Sequence, residues 1–162
     1  SVSIDFIQLE NLVKGIDQIH KSRGIRTKVF EIEKKVRIQH CDPGGVVFTP
    51  QYFNLFVEVL EDWFSDALNY TFSEMLTEDS SGTPAMRIVA RFHNPSKLGD
   101  KLQFRLFVER IRKTTALLNI SATSESQKRC SMKFLYGFSQ LGVFGLAPWP
   151  AELRKGMEQY LQ

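Results

Sequence analysis

The sequence predicts an α+β domain in which an antiparallel sheet of about five strands wraps round one long central helix. Two observations carry that expectation. Residues 49–64 are apolar at helical spacing round most of the circumference, and the segments before and after them alternate apolar and polar side chains with period two. With 162 residues and 43% hydrophobic composition, the chain suffices for one sizeable core and is short for two.

The helix is expected to start at Thr49 or Pro50. Thr49 reads as the N-cap, and Pro50 stands at the first helical position, where its missing N–H costs nothing. Tyr52, Phe53, Phe56, Leu60, Trp63 and Phe64 recur at helical spacing. Gln51, Asn54, Glu58, Glu61, Asp62 and Ser65 make a single polar stripe, so the helix is expected to be buried nearly all round. Large side chains at roughly 1.5–3 kcal/mol each make it the chain's main store of hydrophobic stabilisation.

Ahead of the helix, residues 27–39 place Phe30, Ile32, Val36 and Ile38 on one face and charged residues on the other, the pattern of a half-buried strand. It ends at His40, before the turn residues Asp42-Pro43-Gly44-Gly45. Residues 69–85 are polar and read as a loop. Four more strands follow, marked by Met86, Ile88, Ala90 and Phe92; by Leu102, Phe104, Leu106 and Val108; by Ala116, Leu118, Ile120 and Ala122; and by Cys130, Met132, Phe134, Tyr136 and Phe138. Arg112-Lys113 falls at a hairpin bend. Residues 4–20 carry a rough amphipathic stripe, and 151–161 can form a short terminal helix beyond Pro148 and Pro150. The chain thus divides into an N-terminal extension (1–26), a domain (27–140) and a tail (141–162).

The net charge of +3 comes without the Lys/Arg runs of nucleic-acid binders, and it permits a polyanionic small ligand. No apolar run approaches the ~18–20 residues of a membrane span, and the first residues lack a basic-then-apolar signal pattern, so a soluble protein is expected. Cys41 and Cys130 sit in different elements and offer neither a disulfide framework nor metal-ligand spacing, which suits the cytoplasm. His20 and His93 have no carboxylate or thiol at ligand spacing, so no metal is expected.

The chemistry centres on Asp42. Asp-Pro-Gly is an ordinary turn starter, but this one lies a few residues ahead of a helix N-terminus, with two glycines between that let backbone approach a ligand. A helix start offers unpaired N–H donors and partial positive charge, suited to polarising a carbonyl. A carboxylate on one side and such donors on the other suit hydrolysis of an activated acyl group. The Asp attacks directly to give a mixed anhydride, or it activates a water; both routes stay open.

The run CDPGGVVFTPQYF at 41–53 resembles the active-site segment of the 4-hydroxybenzoyl-CoA thioesterase family of hotdog-fold proteins, whose pattern is close to D-C-D-P-A-G-I-V-aromatic-x-P-x-Y. Beyond about a dozen positions the likeness is one of order and spacing, over 27–140. It implies a hotdog fold, in which two subunits join sheets edge to edge, often as a dimer of dimers. It also implies an acyl-CoA substrate, with coenzyme A present as part of that substrate and no separate cofactor. Asp42 falls on the family's catalytic carboxylate, and Thr49 on the residue whose backbone N–H polarises the thioester carbonyl. Gly45, Val46 and Tyr52 fall among the substrate-binding positions, Arg112 and Lys113 on a basic pair contacting coenzyme A phosphates, and Lys133 on a further basic position. His40 stands where the family has an acidic residue, Gly44 replaces Ala, and Val57-Glu58-Val59 replaces an Asp followed by two alanines. A thioesterase is therefore carried over, and the 4-hydroxybenzoyl substrate is not.

Two further residues are candidates. His40 and Asp42 are alternate residues, so on an extended strand they would share a face as a His–carboxylate pair, although a strand-end histidine more commonly makes an ordinary hydrogen bond. Glu58, on the helix's polar stripe, matches the position from which a second thioesterase branch draws its carboxylate. Two rival functions fit the same fold: a protein that binds acyl-CoA or an acyl carrier without turnover, and a hydratase or dehydratase.

Overall fold

The computed structural model describes residues 27–162; the amphipathic stripe at 4–20 lies outside them. Five strands form one antiparallel sheet: β1 (Phe30–Lys35), β3 (Ala85–Phe92), β4 (Lys101–Ile111), β5 (Thr115–Ser124) and β6 (Gln127–Gly137), in the order β1-β4-β5-β6-β3. The short strand β2 (Ser81–Gly82) pairs separately with β7 (Ser139–Gln140). Side chains point to alternate faces along a strand. Leu102, Phe104, Leu106 and Val108 of β4 are accordingly buried beside Ala116, Leu118, Ile120 and Ala122 of β5 and Cys130, Met132, Phe134 and Tyr136 of β6. The register brings Phe104 opposite Ala122 and Leu118 opposite Phe134, so these residues make one continuous apolar face.

Helix α1 (Thr49–Asp62) lies on that face and buries Tyr52, Leu55, Phe56, Val59 and Leu60. Phe56 meets Phe104 edge-on at a centroid distance of 5.2 Å. The helix runs into a π-helical turn, Trp63–Ala67, where fully buried Trp63 packs edge-on against Phe64 and Tyr160. Helix and sheet define an α+β hotdog architecture.

Four expectations are corrected. The first strand is shorter than 27–39: pairing with β4 ends at Lys35, and Ile38–His40 form a 3-10 turn. Ile38, placed on the apolar face by sequence, is 72% exposed there. The helix is covered on one side only, because Gln51, Asn54, Val57, Glu58 and Glu61 lie outside the sheet's reach and Val57 is 40% exposed. Within the 69–85 stretch, residues Glu74–Glu78 form a second π-helical turn that buries Met75. Finally, the tail is part of the core. Helix α2 (Ala151–Glu158) buries Leu153 and Met157, Trp149 and Tyr160 on either side of it in sequence are buried too, and Leu161 bridges to Val108.

Candidate functional site

The segment between the 3-10 turn and α1 closes on itself as a short antiparallel ladder. The Phe48 N–H donates to His40 O, Cys41 bridges to Val47, and the Asp42 N–H donates to Val46 O. Pro43 and Gly44 form the turn, and Gly45 takes φ +78°, a conformation glycine reaches without steric cost. The Asp42 side chain folds into this turn. Its Oδ1 accepts from the Gly44 N–H at 2.8 Å and, more weakly, from the Val46 N–H at 3.4 Å. Among the described residues Oδ2 has no partner, and the side chain is half-buried. One oxygen is therefore fixed and the other is free.

This loop hangs on the neighbouring one. Val46 bridges to Lys97, the Val47 N–H donates to Ser96 O at 2.8 Å, and the Leu98 N–H donates to Gly45 O at 2.9 Å. Ser96 is fully buried and its Oγ accepts from the Tyr52 hydroxyl at 2.8 Å, tying α1 to the same loop. Burial pushes the Tyr52 phenol above its ordinary 10.0, so at neutral pH it is a donor. Ser96 and its loop were not foreseen as part of the site; the only sequence signal was turn chemistry at 94–100.

Thr49 is the first residue of α1, and Phe48, extended at φ −69° and ψ 128°, is the N-cap without a side-chain hydrogen bond. Sequence had made Thr49 the cap. The displacement follows from the ladder: the Phe48 N–H is committed to His40, which leaves residue 48 extended and residue 49 in the helix. The exposed Thr49 N–H has no partner among the described residues, Pro50 has none to give, and the Gln51 N–H returns to Phe48 O. The apolar neighbours of the turn are open: Phe48 is 53% exposed, Leu98 50% and Phe92, whose ring leans on Tyr52 at 5.8 Å, 49%.

The other candidates fall in three places. His40 does not share a strand face with Asp42, because the chain turns at 38–40; its Nδ1 accepts from the Arg37 N–H at 2.9 Å, which leaves the proton of the neutral ring on Nε2. His40 and Glu58 instead line one groove of about 390 Å3, with Gln39, Gln51, Asn54 and Glu61, and Asp42 does not line it. Among the described residues Glu58 has one cation within reach, the Lys34 ammonium at 4.0 Å, which itself sits 2.6 Å from Asp62. Arg112 and Lys113 occupy the β4–β5 bend as expected and are exposed, but the bend follows the end of β4 away from the Asp42 turn, with the length of that strand, roughly 35 Å along the chain at ~3.3 Å per residue, between them. Lys133 points from the face opposite α1 and pairs with Glu109 at 2.9 Å, which also accepts from Asn119. One chain does not bring these cations to the Asp42 turn.

The sequence matches the Thioesterase-like superfamily over residues 36–157, and the chain belongs to that family. No curated protein matches by sequence. Among solved structures the fold is similar to that of a 1,4-dihydroxy-2-naphthoyl-CoA thioesterase from Synechocystis, at 18% identity over 80% of this chain and 96% of that one, with a TM-score of 0.74. A gentisyl-coenzyme A thioesterase aligns at 20% identity over 80% and 99% of the two chains, with a TM-score of 0.69. A thioesterase-superfamily protein from Jannaschia sp. aligns at 18% identity over 83% and 94%, with a TM-score of 0.76. No helix among the described residues is long and apolar enough to cross a membrane.

Proposed function

We propose that this protein hydrolyses an acyl-CoA thioester to the free acid and coenzyme A, with Asp42 as nucleophile or general base and the Thr49 N–H polarising the carbonyl. The carrying observation is the Asp42 carboxylate, with Oδ1 held by two backbone N–H groups, a few residues ahead of a helix start; among the described residues neither Oδ2 nor the first helical N–H has a partner. As nucleophile, Oδ2 would bond to the acyl carbon as the C–S bond breaks and coenzyme A leaves as thiolate; water would then cleave the mixed anhydride. As base, the carboxylate would take the proton of the attacking water.

A bulky or aromatic acyl group is the favoured class. Exposed Phe48 and Phe92 beside the turn support it, as do two structural neighbours that are thioesterases of aromatic acyl-CoAs. Edge strand β3 leaves Met86, Ile88, Val89 and Phe92 exposed along a backbone edge that no described residue pairs with, a surface suited to pairing with a second copy. An assembly of two or four copies is part of this reading, and any contact of Arg112 and Lys113 with coenzyme A phosphates would come from another subunit. The cytoplasm remains the proposed compartment, since Cys41 and Cys130 are both free.

The test is a panel of acyl-CoA esters with a thiol-reactive dye. Thiol release from aromatic esters is expected; binding without release would favour the non-catalytic reading, and a double-bond absorbance change without thiol would favour the hydratase. Burial pushes the Cys130 thiol up to about 12, so in the folded protein that thiol stays silent in the assay.

Thr49→Pro isolates the helix-start donor. Phe48 is already extended, as a residue before proline must be, and proline is at home in the first helical turn, so the variant removes one N–H and little else. A fall in kcat of about 100-fold with retained folding is expected. Unchanged kcat would take Thr49 out of the mechanism. A second assignment of the carboxylate, to Glu58, is favoured by one observation, the groove it shares with His40; loss of activity in Glu58→Gln but not in Asp42→Asn would decide for it.

A further inference from the structure

We infer that Arg129 is a positioning residue for the Asp42 turn, acting through the loop between β3 and β4; the inference rests on the reading of Asp42 as the reacting carboxylate. Arg129 is 5% exposed, near the start of β6. A guanidinium buried that deeply is costly unless paired and hydrogen-bonded. Its Nη1 donates to Pro95 O at 2.7 Å and to the Asp100 carboxylate at 2.8 Å, and Nη2 reaches Ser124 O at 3.5 Å.

The first two acceptors stand at either end of the stretch that carries the turn. Asp100 tightens that stretch further, because its Oδ2 accepts from the Lys97 N–H at 2.9 Å while its own N–H donates to Lys97 O. Between the clamped ends lie Ser96, whose carbonyl receives the Val47 N–H, and Leu98, whose N–H donates to Gly45 O. The path from Arg129 to Asp42 alternates polar contacts with peptide bonds: the guanidinium holds Pro95 and Asp100, Asp100 holds Lys97, their chain neighbours Ser96 and Leu98 bond to Val47 and Gly45, and the Gly45 N–H donates to Asp42 O at 3.0 Å.

Stability alone does not call for an arginine here, since well-packed apolar residues commonly replace buried ion pairs without loss. What the planar fork supplies is geometry. Nη1 meets both the Pro95 carbonyl and the Asp100 carboxylate through two N–H bonds fixed in the guanidinium plane, while Nη2 reaches Ser124 O, an orientation that a freely rotating lysine ammonium does not hold. A small displacement of reacting groups costs far more in rate than in binding, so a loosened clamp is read in kcat.

The experiment compares Arg129→Lys, Arg129→Met and Asp100→Asn with wild type by amide hydrogen exchange and by steady-state kinetics on an aromatic acyl-CoA. In each variant, exchange at residues 44–47 is expected to accelerate about tenfold or more while β5 amides stay protected. kcat falls about 10–100-fold with KM within about threefold. Asp100→Asn keeps the side chain's shape but removes the negative charge that Oδ2 presents to both the guanidinium and the Lys97 N–H, and it reads the same clamp where an Arg129 variant fails to fold. Unchanged exchange at 44–47 overturns the inference, as does acceleration spread evenly over the sheet. Should the wild-type protein cleave no acyl-CoA, local acceleration at 44–47 still upholds the clamp, and only the hydrolase reading falls.

Discussion

Asp42→Asn lowers kcat for acyl-CoA hydrolysis by at least about 10³-fold and leaves the thermal midpoint and KM close to wild type. The size of the effect follows from the chemistry: an amide oxygen neither forms the mixed anhydride nor takes a proton from water, so both open routes close together. The selectivity follows from the turn. Asparagine presents the same Oδ1 to the Gly44 and Val46 N–H groups and is as good a turn former as aspartate, so the ladder from Cys41 to Val47 has no reason to open. The measurement is kcat and KM on the best substrate of the acyl-CoA panel, beside a thermal melt. Hydrolysis within about tenfold of wild type removes Asp42 from the mechanism, and a collapsed melt shows its role to be the turn itself.

How far the sequence foretold this can be read residue by residue. Period two put Phe104, Leu118 and Phe134 on the core face and Lys133 on the opposite one, and each is where that period sends it, because a strand's pleat needs no tertiary information. The Asp42 turn was legible from Pro43 and the glycines alone. Alternation that continues through Ile38 predicts a longer first strand than forms, because the chain is turned there by a longer-range demand, the Phe48 N–H reaching back to His40. That same bond moved the helix cap from Thr49 to Phe48. The buried tail carries its own signal, since Trp149, Leu153, Met157 and Tyr160 recur at helical spacing after Pro148. Arg129 had none, since an arginine near a strand's start reads as surface until the loop it clamps is known.

The half-covered helix leads to the other large expected effect. Phe56 and Val57 are adjacent apolar residues that sequence places on the same nearly buried cylinder, yet Phe56 is 0% exposed and Val57 40%. Phe56 meets Phe104 at 5.2 Å and Phe134 at 6.4 Å, so truncation to alanine removes a ring from the contact between α1 and two strands. Phe56→Ala should therefore cost about 3–5 kcal/mol, partly as lost transfer energy and partly as the cavity left between elements too rigid to close it. Against a typical 5–15 kcal/mol of total stability this is a large share, visible as a fall of roughly 10 °C or more in the thermal midpoint. Val57→Ala, on the open side, should stay within about 0.5 kcal/mol. A Phe56→Ala cost below about 1 kcal/mol would mean that the helix does not lean on the sheet at this point. If instead Val57→Ala costs as much as a core truncation and its effect fades on dilution, the open side of α1 is covered by another subunit, and the helix is enclosed only in the assembly.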